Sequence, residues 1–193
     1  MPGLSSAGPG SDASVDWVWI DRPGLRVRLQ PLCGDDASAL VEVLGDAEVM
    51  RHWSHAPLRS AADIDWYLRD AAAGARSGSH WRWAIRRSDD DLLVGIASLH
   101  GFDRSRRQAE VSYALACRHW GQGLATEALQ LLLAHAFDGC GLQCLEARVD
   151  PANRRSRRLL ARLGFHPPDD GSDAATIALR LDAAARLASA PQA

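Results

Sequence analysis

The sequence predicts an α/β fold, in which helices flank a mixed, mostly antiparallel sheet. Three observations predict it. First, three runs of alternating character, Trp81–Ile85, Leu92–Leu99 and Glu110–Leu115, follow one another with only polar loops between them. That is the pattern of a meander, not of strands alternating with helices. Second, a glycine turn and a strongly apolar helical run, Leu124 to Phe137, come directly after the meander. Third, two later strand-like segments, Leu142–Val149 and Ala175–Leu181, bracket an arginine-rich amphipathic helix.

Each element has a local reason. Residues 1–18, rich in Gly, Ser and Pro, read as a flexible leader; 19–182 read as one domain, and 183–193 as an alanine-rich tail. Leu25–Leu29 alternates and reads as a strand. Asp35 or Asp36 is placed to cap a helix through Leu40, Val43 and Leu44. His52 to Leu58 is irregular and aromatic. Ser60 caps a second helix, with Ile64, Tyr67 and Leu68 on one face. The strands of the meander turn at Ser88–Asp91 and at Gly101–Arg107. In the apolar helix Leu124, Ala128, Leu131 and Leu132 share one side, so a sheet must cover it. Asn153 opens the last helix, with Leu159, Leu160 and Leu163 inward and Arg154, Arg155, Arg157, Arg158 and Arg162 outward. Gly164 ends it as a left-handed residue.

Composition narrows the function classes. The chain of 193 residues is 47% hydrophobic and 24% charged, enough apolar content for a real core. A formal net charge of -2 gives no global attraction to nucleic acid or to a membrane. No apolar run approaches the roughly 18 residues of a membrane span, and the N-terminus does not resemble a signal peptide. Cys33, Cys117, Cys140 and Cys144 form no metal-binding pattern, so no metal site is expected and a reducing cytoplasm is the simplest setting. All 22 basic residues are arginine. The absence of lysine removes Schiff-base catalysis and the Walker phosphate loop. Any grip on phosphate must come from backbone amides, helix N-termini and arginine.

Gly121 and Gly123 admit three readings. A strand, a glycine-rich turn and a helix N-terminus together make an anion site, where outward amides and the helix dipole favour negative charge. A plain connector needing positive φ is the second reading. The third, a dinucleotide fingerprint with affinity for NAD or ATP, requires Gly or Ala where Thr126 stands and a parallel sheet.

Trp120-Gly121-Gln122-Gly123-Leu124-Ala125-Thr126-Glu127-Ala128 resembles the acetyl-CoA motif Q/R-x-x-G-x-G/A of the GCN5-related N-acetyltransferases (GNAT), and within them the RimJ/RimL-like branch. Ala109–Ala116, Asn153 with Ser156, and Leu163-Gly164-Phe165 are similar to the same family, in the same order. The resemblance spans roughly Leu25 to Phe165. It implies transfer of acetyl from acetyl-CoA to a primary amine, either a protein N-terminus or a small molecule, by direct attack in a ternary complex. It implies cofactor contacts from Leu115, Ala116, Cys117, Trp120, Gly121, Gln122, Gly123, Leu124, Ala125 and Thr126, and from Asn153, Ser156 and Arg158. The chain departs from the pattern at Ser112 (usually Gly), at Cys117 (commonly Pro) and at Leu160, where many members carry a general-acid tyrosine. The segment HPPDDGSDAAT after Phe165 is short and polar. A CoA-binding regulator or inactive acyltransferase homologue is therefore the alternative function.

Acetylation requires a neutral amine. An α-amine of pKa near 8 is about one-tenth neutral at pH 7, while a lysine-type amine is neutral roughly once in 2,500, a cost of about 4–5 kcal/mol. Glu110 is the expected base, with His119, His135, His52 and His55 as rivals. Ser156 lies on the inward face of its helix, where its hydroxyl either satisfies the carbonyl four residues back or serves the thioester sulfur. Trp53, Trp66 and Tyr67, with Glu110, are the expected acceptor wall; core packing is the competing role for the three aromatics. The arginines at 154–158 read as a solvated face, with Arg158 able to meet a CoA phosphate and no nucleic acid implied. A monomer or a homodimer fits equally.

Overall fold

Six strands form one sheet in the order β1-β2-β3-β4-β5-β6. They are β1 (Val27–Pro31), β2 (Trp81–Arg87), β3 (Leu93–Asp103), β4 (Gln108–Leu115), β5 (Cys144–Val149) and β6 (Ile177–Asp182). Four helices accompany them: α1 (Ala37–Leu44), α2 (Ala61–Ser77), α3 (Leu124–Ala134) and α4 (Arg154–Arg162). The computed structural model describes residues 20–22, 25–168 and 176–185. The expected leader, most of the tail and part of the segment after Phe165 lie outside these.

The sheet is mixed and mostly antiparallel, as the patterning predicts. Only β4 and β5 run parallel, and they pair over just three positions, Gln108–Glu110 against Cys144–Glu146. Beyond Glu110, β4 continues for five residues to Leu115, and β5 continues from Ala147 to Val149. Neither partners the other there, so the sheet splits into a V that opens toward the C-terminal ends of both strands.

Alternation along the strands builds two cores. One lies between the sheet and α3 and α4, and includes Leu129, Leu132, Leu145, Leu160 and Leu181. The other lies under α1 and α2, and includes Leu40, Leu44, Ile64, Ile96 and Ala114. Each fully buried Leu or Ile contributes about 1.5–3 kcal/mol relative to exposure.

Several elements differ from their expected form. β3 runs on to Asp103, because pairing resumes at Asp103–Gln108 after a register shift beyond His100–Glu110. The hairpin turn is therefore shorter than Gly101–Arg107. The apolar helix ends at Ala134 and continues as a π-helical turn, His135–Gly139, closed by Cys140 N donating to His135 O at 2.8 Å. Ser60 caps α2 as expected: its Oγ accepts from Asp63 N at 3.1 Å, and Asp63 Oδ2 accepts from Ser60 N at 2.9 Å. Asp36 does not use its side chain to cap α1. Its carboxylate is buried, accepts from Cys33 N at 2.9 Å and is ion-paired to Arg86 of β2.

That pair ties α1 to the sheet with little access to water. Removing one partner of a buried pair leaves the other charge uncompensated, at a cost of about 3–5 kcal/mol. Asp36→Ala is expected to lower stability by about 3 kcal/mol, read as a lower urea midpoint at unchanged m-value. A loss under about 1 kcal/mol would show that Arg86 finds enough compensation from Asp91, whose carbonyl it already meets at 3.1 Å.

Candidate functional site

A cleft of about 600 Å³ occupies the V. Tyr113, Ala114 and Leu115 of β4 form one side, and Ala152, Asn153, Arg154, Arg155, Ser156, Leu159 and Arg162 the other. The turn before α3 closes one end with Trp120, Gly121, Gly123, Leu124, Ala125 and Thr126. Glu48, Val49, His52 and Trp53, from the segment after α1, also line the cleft.

Gly121 and Gly123 adopt φ values of 76° and 83°. A side chain is strained at such angles, so both glycines are needed for the turn itself. Thr126 N and Glu127 N return to Gly123 O, at 2.9 and 3.2 Å. Among the described residues, the amides from Gly121 to Ala125 carry no hydrogen bond. They sit at the positive end of α3, the arrangement that binds phosphate. A clamp fixes this turn to the start of the sheet. Glu127 is ion-paired to Arg26, accepts the Arg26 backbone amide at 2.7 Å, and Arg26 Nη2 donates to Gln122 O at 3.0 Å. Trp120 Nε1 donates to Leu115 O at 2.8 Å, and the Arg155 guanidinium lies 4.0 Å over the Trp120 ring. That stacking places a cation of α4 beside the turn.

Asn153 caps α4, its Oδ1 accepting from Ser156 N at 3.0 Å. The Ser156 hydroxyl is not spent on the carbonyl four residues back. It shares a hydrogen bond of 2.9 Å with the Tyr113 hydroxyl across the V. Leu160 is 1% exposed and belongs to the core; the phenol in this cleft comes from β4. Burial pushes the Tyr113 hydroxyl up to about 12, against a smaller opposite effect from Ser156.

The structure brings together Trp53, Leu115, Trp120, Gly121, Gly123, Leu124, Ala125, Thr126, Asn153 and Ser156. Other expected residues stand elsewhere. Glu110 is the last paired residue at the vertex of the V. Alternation points it to the α1/α2 face, where Arg148 Nε lies 3.3 Å from its carboxylate, and it does not line the cleft. Tyr67 is buried under α2 with Arg82 4.4 Å over its ring, and Trp66 is 57% exposed on the outside of that helix. Arg158 borders a separate depression with Arg157, Phe165 and Leu179; the α4 arginines that line the cleft are Arg154, Arg155 and Arg162. Ala116 and Cys117 lie behind the wall, and Gln122 binds Arg118 O at 3.0 Å. Burial, reinforced by Asp46, pushes the Cys117 thiol up to about 11. It is a neutral thiol at pH 7, a poor nucleophile.

Two features were not legible beforehand. Tyr113 reads as one more aromatic in a strand, and only its alternation relative to Glu110 hints at the opposite face. Asp150 follows β5 and accepts from His52 Nδ1 at 2.6 Å, joining positions 98 residues apart.

Residues 26–166 match the family model described as "Acetyltransferase (GNAT) domain". The uncharacterized N-acetyltransferase YoaA of Bacillus subtilis (strain 168) is 29% identical over 140 residues, 72% of this chain and 79% of that protein. The spermidine N(1)-acetyltransferase of Escherichia coli (strain K12) is 26% identical over 143 residues, 72% of each. Among solved structures, Mycobacterium smegmatis RimJ in complex with CoA-disulfide superposes with a TM-score of 0.74 at 25% identity, covering 86% of this chain and 85% of that one. The chain belongs to the GNAT family of N-acetyltransferases. Among the described residues, no helix is long and apolar enough to cross a membrane.

The chain has two tyrosines, Tyr67 and Tyr113, and burial pushes both up to about 12. An ultraviolet titration of the folded protein is expected to show no tyrosinate near pH 10, with both rings ionising only toward pH 12. In the unfolded chain both ionise near 10. The unfolded state therefore holds fewer protons between pH 10 and 12, and stability falls as pH rises through that window. A native transition of either ring at pH 10 would contradict the burial of that hydroxyl.

Proposed function

We propose that this chain transfers acetyl from acetyl-CoA to a primary amine by direct attack in a ternary complex. One observation carries the reading: Gly121, Gly123, Leu124 and Ala125, whose amides carry no hydrogen bond among the described residues, line a cleft in the split sheet. A pyrophosphate satisfies those amides and gains from the α3 dipole, and Arg155 beside the turn suits a further phosphate oxygen. Acetyl-CoA, when bound, supplies an acetyl group activated as a thioester.

The protein's contribution is then position and polarity. The split leaves the β4 edge from Val111 to Leu115 free of a β5 partner, which suits an extended pantetheine arm. Ser156 and Tyr113 offer a hydroxyl pair to the sulfur that leaves. Thiolate is a fair leaving group, with a free thiol pKa near 8.5, so hydrogen bonding suffices and full protonation is not required. The neutral Cys117 thiol, away from the cleft, favours direct attack over an acyl-enzyme. The acceptor approaches along Glu48, His52 and Trp53, where an acidic and two aromatic groups suit a cationic amine. The relative named for spermidine makes polyamines a first class to assay, and peptide α-amines a second.

Gly123→Asp introduces a negative side chain at a position of φ 83°. CoA affinity is expected to fall by at least tenfold in a protein that still unfolds cooperatively, measured by calorimetry. Unchanged affinity would remove the turn as a phosphate site.

Ser156→Ala keeps the cap, because Asn153 receives the Ser156 backbone amide. It leaves the Tyr113 hydroxyl with one partner fewer. Turnover is expected to fall ten- to a hundredfold, or roughly 1.4–2.7 kcal/mol in activation free energy, with CoA affinity held. Thiol release from acetyl-CoA with a panel of polyamines and peptide α-amines is the readout. Unchanged turnover where chemistry limits the rate would make Ser156 a structural residue.

A further inference from the structure

Of the seven histidines, one is arranged as a base inside the cleft. His52 closes a short helical turn, Met50–His52, after α1. Its ring crosses the mouth of the V to the loop that ends β5, where Nδ1 meets Asp150 Oδ2 at 2.6 Å. The other oxygen of Asp150 accepts from Ala152 N at 2.8 Å. The carboxylate is thus held from two sides, and the His52 hydrogen bond, followed by that amide, keeps Asp150 below the usual carboxylate range. An ionised carboxylate only accepts, so Nδ1 carries the proton and Nε2 keeps its lone pair. Among the described residues Nε2 has no hydrogen-bond partner, and the ring lines the cleft with Trp53, Asn153 and Ser156.

The remaining histidines lack this combination. His119 lines the cleft, but its Nε2 receives Arg118 Nε at 3.1 Å, and burial makes it a weaker base. His135 stacks edge-on against Trp83 and does not line the cleft. His55, His80, His100 and His166 do not line the cleft.

We propose that His52 is the base that takes the proton from the attacking amine, with Asp150 as its positioning residue. This rests on the acetyl-transfer reading above. In the step, the amine nitrogen forms a bond to the acetyl carbon and its proton passes to His52 Nε2. The carbon–sulfur bond breaks, and its electron pair leaves with the sulfur. The imidazolium then gives up its proton to that thiolate or to solvent, so the products are an amide, a thiol and the neutral ring. Asp150 orients the ring and fixes its tautomer, as the carboxylate does in hydrolytic triads. Glu110, turned away and bound to Arg148, is not needed as the immediate acceptor.

The test is the pH dependence of kcat/KM. Groups besides Asp150 that bear on the ring are Glu48 and Arg51 on its own segment, which pair at 3.4 Å, and Asp46 beside Cys117. Arg154, Arg155 and Arg162 of α4, and His119 from the loop before α3, line the same cleft. These stay constant when only the dyad is changed. His52→Asn retains a donor for Asp150 but no base. It is expected to lower kcat/KM by about 10²-fold or more and to erase the acidic limb of the profile, with CoA affinity unchanged. His52→Gln is the second variant should the first unfold. Asp150→Asn removes the carboxylate that holds the proton on Nδ1, so kcat/KM should fall about tenfold with CoA affinity held, and Asp150→Glu should recover part of the loss.

Spermidine and a short peptide with a free α-amine are the acceptors, and thiol release is the signal. An acidic limb that survives in both His52 variants, or that is lost in Glu110→Gln instead, overturns the proposal while acetyl transfer stands. A wild-type protein that binds CoA but releases no thiol with either acceptor overturns the transfer reading and the proposal with it.

Discussion

β4 and β5 share hydrogen bonds at only three positions before they part, and the site depends on that short register. A continued parallel ladder would fill the space between Tyr113 and Asn153 with backbone bonds and leave no cleft. Because the ladder stops at Glu110 and Glu146, the outer halves of both strands present unpaired edges. Two hydrophobic layers hold the halves in place. Leu145 and Leu160 anchor the β5–α4 side, and Leu40, Ile96 and Ala114 anchor β4 against α1. The V is therefore a consequence of where packing, rather than pairing, holds the strands.

Polar contacts then span the opening instead of backbone ladders. Tyr113 meets Ser156, and His52 meets Asp150. Each joins a residue on the N-terminal side of the V to one on the C-terminal side. Tyr113, Ser156 and His52 line the cleft, and Asp150 holds His52 from the loop after β5. The glycine turn is treated differently. Its conformation comes from two left-handed residues, and its position from the Arg26–Glu127 clamp on the outside. The clamp leaves the inward amides free, which an internal hydrogen-bond network would not.

The electrostatics divide by position. The turn end has amides, the α3 dipole and Arg155, all favouring phosphate. The opposite wall has Glu48, Trp53 and His52, the last bonded to Asp150, and on the proposed reading it receives the cationic amine. The hydroxyl pair stands on the walls between. On the proposed reading these groups fall in the order anion site, leaving group and acceptor along one cleft, as acyl transfer between two bound substrates requires.

By itself the sequence determined the local elements and the turn. Alternation in Trp81–Ile85 and Glu110–Leu115 needs only neighbouring residues to be read, as do the Ser60 and Asn153 caps and the glycines that must take positive φ. The amide-rich helix start is equally local, so the end of the cleft proposed for phosphate was legible. The acceptor end was not. Trp66 and Tyr67 lie on α2, which adds nothing to the cleft lining, and face solvent and core, and Glu110 is turned aside by the parity of β4 and by Arg148. Asp36 has the position of a cap, yet Arg86, 50 residues on, claims its carboxylate. Tyr113 with Ser156, and His52 with Asp150, are 43 and 98 residues apart. Such pairs are decided by which strands part and which loops meet, and no local periodicity records that; only the tertiary structure brings them within hydrogen-bond reach.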